Sequence, residues 1–121
     1  MSADSAIREL EWYLRDHLFR QSKAGKISFM KELLPHEMVT IYLRYKNTDP
    51  QKLSNTLSPV IESLIARKVM EQDNNELKLL GSMRRLQCAK CFYINYLTDA
   101  ESVSCLRCQH NELHDFPKKK A

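Results

Sequence analysis

The sequence predicts an α+β fold in which a helical core with a β-hairpin precedes a small, cysteine-held module. Apolar residues recur at spacings of three and four over most of residues 5–68, as they do in amphipathic helices. Two short apolar runs then flank the turn-forming residues 72–75, which is the pattern of a hairpin. All four cysteines follow, in two CxxC pairs. These observations place the helices first and a short β segment last.

The first helix is predicted over residues 5–21. Its apolar stripe is formed by Ile7, Leu10, Leu14 and Leu18. Asp4 or Ser5 can cap its start, and Gly25 is suited to the left-handed conformation that ends many helices. Three aromatic residues exceed what one stripe needs: Trp12, Tyr13 and Phe19. They belong either to the core or to a contact with a partner.

Two prolines in the middle of the chain, Pro50 and Pro59, indicate where helices begin. Residues 27–30 are either an edge strand or the start of the next helix, which is predicted over residues 35–46. Pro50 and Pro59 each follow a capping residue, and proline is favoured at the first position of a helix. The sequence therefore predicts a short helix over residues 51–57 and a separate helix over residues 59–68.

The order helix, turn, short helix, turn, helix, hairpin over residues 35–80 resembles a winged helix-turn-helix domain. The resemblance implies that residues 59–68 are a recognition helix and that residues 69–80 are the wing. We accordingly divide the chain into four parts. They are an N-terminal helix that packs on the core or on a partner (1–26), the winged-helix domain (27–83), the cysteine module (84–117) and a basic tail (118–121).

The cysteines predict a metal centre. Cys88 and Cys91 form the first pair, Cys105 and Cys108 the second, and thirteen residues separate them. Four thiolates complete a tetrahedral shell around one structural zinc ion, which leaves no position for a substrate. Iron in place of zinc, or a redox dithiol, is the alternative. His110 and His114 follow closely. Either could replace a thiolate ligand, or both are polar residues at the surface or beside the ligands.

The module resembles a zinc ribbon, since residues 92–96 and 112–116 read as strands around the cysteine pairs. Zinc-ribbon knuckles often carry glycine after their second cysteine, where the backbone turns left-handed. Here those positions hold Phe92 and Gln109, so we expect either strained turns or turns of another type. Lys90 and Arg107 lie within the pairs. They offset the charge of a zinc tetrathiolate or contact phosphate.

The charge pattern permits an anionic partner without requiring one, because the formal net charge is only +4. The predicted recognition helix itself is nearly neutral. The residues that we assign to nucleic-acid contact are Lys52, Asn55, Thr56, Arg67, Lys68, Arg84 and Arg85. The alternative is that these side chains are ordinary solvated polar groups.

The sequence lacks the motifs of common enzymes, namely a Gly-rich phosphate loop, GxSxG and HExxH. We therefore expect no enzymatic activity. No run of apolar residues is long enough to span a bilayer, and the first residues do not form a signal peptide. A cytoplasmic location, or a nuclear one in a eukaryote, follows as the expectation and favours metal-bound cysteines over disulfides.

Two functions remain open at this level. The first is a DNA-binding transcriptional regulator that meets double-stranded DNA with residues 59–80. The second is an adaptor subunit of a larger assembly that uses the same surfaces to bind protein. The order of a winged helix before a zinc ribbon is similar to that of archaeal transcription factor E-like proteins. That similarity is carried by residues 35–80 and the four cysteines, and it favours the first function.

Overall fold

A computed structural model describes residues 3–116, with side chains from residue 5 onward. The predicted basic tail, residues 118–121, lies outside these limits. The first helix begins at Ala3, so Asp4 and Ser5, which were predicted to cap it, lie inside it. The helices are α1 (Ala3–Lys23), α2 (Leu34–Ile41) and α3 (Pro50–Ala66). Single 3-10 turns cover Lys31–Leu33 and Leu43–Tyr45. None of the helices in the described part of the chain combines the length and apolar composition needed to cross a membrane.

Within residues 3–116, six strands form two small antiparallel sheets, which confirms the α+β prediction at this level. The strands are β1 (Ser28–Met30), β2 (Met70–Asp73), β3 (Glu76–Leu79), β4 (Met83–Cys88), β5 (Ile94–Thr98) and β6 (Leu113–Asp115). Sheet one has the order β1-β3-β2 and sheet two the order β5-β4-β6. The segment 27–30 is therefore an edge strand, which settles that alternative. The predicted hairpin is β2–β3, and Asn74 takes its left-handed turn position with φ +56°.

The two helices predicted over residues 51–57 and 59–68 are one continuous helix, α3. Its start agrees with the sequence, since the Asp49 carboxylate accepts a hydrogen bond of 3.1 Å from the Gln51 N–H. Pro59 lies inside the helix rather than at the start of a new one. Burial of the helix's apolar face outweighs the proline's lost hydrogen bond, because each fully buried aliphatic side chain contributes about 1.5–3 kcal/mol. The buried residues are Leu53, Leu57, Val60, Ile61 and Leu64.

The helix predicted over residues 35–46 is shorter than expected, because α2 ends at Ile41. Tyr42 adopts extended backbone angles there, and its hydroxyl donates a hydrogen bond of 2.6 Å to the Asp16 carboxylate on α1. A tertiary contact thus coincides with the point at which the helical pattern breaks. One 3-10 turn follows before the chain enters α3.

Helix α1 contacts both sheets of the fold. Leu14 and Leu18 are buried in the common core, and Phe19 is buried against Tyr96 of β5. Trp12 packs edge-on against the same tyrosine, and its indole N–H donates to the Ile94 carbonyl at 2.8 Å. Tyr13 packs against other core aromatics. The aromatic excess of α1 is therefore used inside the chain.

The same helix buries three polar residues in a row, Arg15, Asp16 and His17. Arg15 is 0% exposed and forms a two-pronged ion pair with Glu101, at 2.9 and 2.8 Å, beyond the end of β5. Asp16 accepts from the hydroxyls of Tyr42 and Tyr96. These bonds join α1 to α2 and to β5, so the helical part and the cysteine-bearing part are held against each other. The division into four parts stays a prediction.

Candidate metal centre

The four cysteine thiols converge at one end of the second sheet. Their sulfur atoms all lie within 4.8 Å of one another. Cys88 Sγ is 3.5 Å from Cys108 Sγ, and Cys91 Sγ is 3.6 Å from Cys105 Sγ. Four sulfurs bound to one zinc ion at about 2.3 Å lie about 3.8 Å apart. All four cysteines are free thiols at these separations. The cluster can therefore hold a metal ion such as zinc, as the spacing predicts.

Both cysteine pairs adopt the same turn. In the first, the N–H groups of Lys90 and Cys91 point at Cys88 Sγ, at 3.3 and 3.5 Å. In the second, the N–H groups of Arg107 and Cys108 point at Cys105 Sγ, at 3.4 and 3.5 Å. Such N–H groups stabilise negative charge on sulfur. The first cysteine of each pair is thus prepared to act as a thiolate ligand.

The residue after each pair turns left-handed although it is not glycine. Phe92 has φ +64° and Gln109 has φ +67°. Their N–H groups donate to the carbonyls of Cys88 and Cys105, which closes each turn at 3.0 and 2.8 Å. The expectation of strained turns is the one that holds: the turns are left-handed, and residues with side chains adopt this unfavourable backbone conformation. Phe92 is 67% exposed, so burial of its ring does not offset that cost.

Asn95 is a residue of the centre that sequence reasoning missed. It lies on β5 and is fully buried, and its side-chain N–H group donates to Cys105 Sγ at 3.5 Å. Its side-chain oxygen accepts from the Leu106 N–H at 2.8 Å. Asn95 therefore fixes the second cysteine turn to the sheet. Only its place in a strand between the pairs could have drawn attention to it.

The surroundings shift the pKa values of two of the thiols in opposite directions. Burial raises the pKa of Cys105, but hydrogen bonds from Cys108, Asn95 and Arg107 outweigh it and lower the pKa to about 6. The Tyr93 N–H lowers the pKa of Cys91, but burial and the neighbouring thiols raise it to about 12. Cys105 therefore ionises more readily than Cys91. A divalent cation at the centre would favour the thiolate form of all four.

The two histidines near the second pair lie beside Glu112 instead of joining the sulfurs. His110 Nε2 is 3.9 Å and His114 Nε2 is 3.6 Å from that carboxylate. Among the residues that the structure describes, the potential metal-ligand cluster consists of cysteines alone. Lys90 is exposed, and the Arg107 guanidinium lies 5.8 Å from the centre of the Tyr93 ring.

The residues assigned to nucleic-acid contact lie on α3, directly after it and on β4. Lys52, Asn55 and Thr56 are exposed on α3. Arg67 ends α3 and forms an ion pair of 2.6 Å with Glu11 of α1. Lys68 is exposed, takes a left-handed conformation with φ +65° and closes the helix. Arg84 and Arg85 are neighbours on β4, where alternate side chains point to opposite faces.

Arg85 belongs to a basic surface that the sequence did not reveal. Its guanidinium lies 5.2 Å from the centre of the Phe19 ring and 5.5 Å from that of Phe116. The ammonium group of Lys23 lies 5.3 Å from the same Phe19 ring. We call Phe19, Lys23, Arg85 and Phe116 the basic–aromatic surface. By contrast, the exposed side chains of the β2–β3 hairpin include three carboxylates, Glu71, Asp73 and Glu76, and one lysine.

Comparisons with family models, with curated proteins and with solved structures find no match to this chain. The functional argument therefore rests on the residues and their geometry.

Proposed function

We propose that the chain is a non-enzymatic, nucleic-acid-associated regulator built from a winged-helix unit and a zinc ribbon. The winged-helix assignment is supported by the order of helices and strands, in which β1 pairs with the β2–β3 hairpin beside three helices. The ribbon assignment is supported by two like cysteine turns at one end of a three-stranded sheet. Cys88, Cys91, Cys105 and Cys108 would hold one zinc ion, which would stabilise the module and leave no position for chemistry.

The observation that carries nucleic-acid association is the basic–aromatic surface. A guanidinium and an ammonium group lie over one aromatic ring there. The Lys23 ammonium group is on an exposed side chain, and the Arg85 guanidinium, whose Nε–H donates to the Phe116 carbonyl at 3.0 Å, keeps further N–H donors for phosphate. We therefore expect nucleic acid to contact the basic–aromatic surface and not α3 or the hairpin. The exposed side chains of α3 include one lysine and one glutamate, and a hairpin with three carboxylates would repel a phosphate backbone.

The second candidate function is an adaptor that binds protein. It is favoured by exposed apolar residues around α2, where Leu43 is 85%, Ile41 50% and Leu33 48% exposed. Exposed apolar side chains that form one contiguous patch are typical of protein contact sites. An adaptor of this kind would use α2 and would be insensitive to the charge of the basic–aromatic surface.

Salt-dependent binding to fluorescent oligonucleotides, duplex and single-stranded, tests the proposal. The zinc-loaded full chain is expected to bind at low salt, with affinity falling as salt rises. Lys23→Ala with Arg85→Ala, which removes two positive charges, is expected to weaken binding about ten-fold, whereas Lys52→Ala on α3, which removes one, is the control. Absence of binding at low salt would defeat the proposal and leave the adaptor. A loss confined to Lys52→Ala would return the contact to α3.

The similarity to transcription factor E-like proteins and the cytoplasmic or nuclear location both stay predictions. The proposed function is argued without either of them.

A further inference from the structure

A second surface lies between α1, the end of α3 and the second cysteine turn. It is a cleft of about 390 Å³, within the range of small-ligand sites. Trp12, Tyr93 and Tyr96 contribute aromatic surface, and Leu106 lies beside them. Neither the metal centre nor the basic–aromatic surface accounts for it.

The aromatic walls of the cleft are held in place by other contacts. The Trp12 indole is fixed by its hydrogen bond to the Ile94 carbonyl and by the Tyr96 ring, 5.5 Å away. The Tyr93 ring is half-buried, with the Arg107 guanidinium over it. A planar ring that enters the cleft would therefore meet preformed surfaces, at little cost in side-chain entropy.

The charge of the cleft is positive. Four arginines and two glutamates line it, but Arg15 is fully buried and is also paired with Glu101 at 2.8 Å. Glu11 is already engaged, since its oxygens accept from Arg15 at 2.9 Å and from Arg67 at 2.6 Å. Glu9 is paired with Arg44. Arg107 forms no ion pair with any residue in the range 5–116, so its guanidinium is available to an anion.

We propose that this cleft binds one unpaired nucleotide of a single-stranded nucleic acid. The base would lie against Trp12 and Tyr93, and its phosphate would meet Arg107. Single-strand binding sites combine aromatic stacking with positive charge in this way. A base within a duplex is stacked and paired, so it could not enter a cleft without being extruded. The inference rests on the proposed function, because it names the form of nucleic acid that the protein prefers.

The two cysteine turns provide a matched pair of variants. Arg107 lies between Cys105 and Cys108 at the position that Lys90 occupies between Cys88 and Cys91. Each replacement by alanine removes one positive charge next to the metal ligands. Only Arg107 lines the cleft. Tyr93→Leu is the third variant, since it keeps an apolar side chain and removes the aromatic face.

The experiment measures binding of a fluorescent single-stranded oligonucleotide and of the same sequence as a duplex to the zinc-loaded full chain. We expect tighter binding of the single strand. Arg107→Ala and Tyr93→Leu should each weaken it about ten-fold or more, as loss of a stacking or phosphate contact does. Lys90→Ala should change it less than about three-fold. Zinc content and circular dichroism identify any variant that fails to fold. Competition by free nucleoside monophosphates tests whether the cleft binds one nucleotide.

The outcomes separate the two proposals. If Lys23→Ala with Arg85→Ala weakens binding but Arg107→Ala and Tyr93→Leu do not, the cleft inference fails and the proposed function stands. If no oligonucleotide binds, both fail. Equal affinity for duplex and single strand also overturns the inference. So does an acidic or phosphorylated peptide that binds the cleft when oligonucleotides do not compete with it.

Discussion

At the scale of single residues, the metal centre depends on two backbone positions that glycine would suit better. Phe92 and Gln109 both adopt left-handed angles to close the cysteine turns. For a residue with a side chain, this conformation costs about 1–2 kcal/mol. The turns are thus dictated by the spacing of the thiols and the hydrogen bonds of the loop, in spite of the local residue.

Phe92→Gly and Gln109→Gly are therefore expected to stabilise the zinc-loaded protein. Relief of the left-handed conformation is offset in part by the entropy of glycine in the unfolded chain, which leaves a gain of about 0.5–1 kcal/mol. Denaturant unfolding measures the change. Phe92→Ala is the control, because it removes the ring without relieving the backbone. Glycine variants no more stable than the alanine variant would contradict the account.

Asn95 gives a prediction about metal affinity. Asn95→Asp keeps the shape of the side chain but removes the N–H group that faces Cys105 Sγ and adds negative charge beside the thiols. We expect zinc affinity, measured by chelator competition, to fall about 10–100-fold, because loss of a residue that orients a metal ligand typically has an effect of this size. Asn111→Asp, at an exposed position near the same turn, should leave affinity nearly unchanged. Equal losses in both variants would indicate a general charge effect.

At the scale of elements, α3 shows where sequence patterns succeed and where they fail. Asp49 caps α3 and Pro50 begins it, as the sequence predicts. The same pattern at Ser58 and Pro59 wrongly predicts a new helix start. The continuous apolar face of α3 packs into the core, and a rule based on local sequence does not include packing. The CxxC spacing predicted the thiol cluster because the cysteines alone specify it. Asn95 and Arg15 could not be predicted, since their roles depend on strands and loops distant in sequence.

Pro59 should carry a cost that can be recovered. Proline inside a helix is less favourable than alanine by about 3 kcal/mol, because it lacks an N–H group and crowds the preceding turn. Pro59 is exposed, so Pro59→Ala removes no buried contact and should stabilise the protein by about 1–3 kcal/mol. Thermal unfolding of the zinc-loaded variant tests this. A destabilised variant would argue that two helices meet at residue 58.

At the scale of the whole molecule, the buried polar groups of α1 connect the helical part to the second sheet. Asp16 accepts from two tyrosine hydroxyls and from Arg20, and Arg15 binds Glu101. Burial raises the pKa of Asp16, but hydrogen bonds from Tyr42, Tyr96 and Arg20 outweigh it, so the pKa lies below its usual range. Asp16 therefore contributes stability as a carboxylate.

This linkage predicts an acid-sensitive contribution. A carboxyl group whose pKa is lowered by folding stabilises the protein above its unfolded pKa, about 3.9, and ceases to do so as pH falls through the folded value. The stability difference between wild type and Asp16→Asn should be constant between about pH 5 and 7 and shrink below about pH 4. Asp115→Asn, at an exposed position, serves as the control. A difference that grows on acidification would contradict the assignment.

The central claim is that four cysteines hold one structural metal ion, and elemental analysis of the purified full chain tests it most directly. The account predicts about one zinc per chain in the wild type. It predicts loss of the metal, and of the β4–β6 sheet by circular dichroism, in Cys105→Ser. A wild-type protein that contains no metal, is fully folded and exposes four reactive thiols would contradict it.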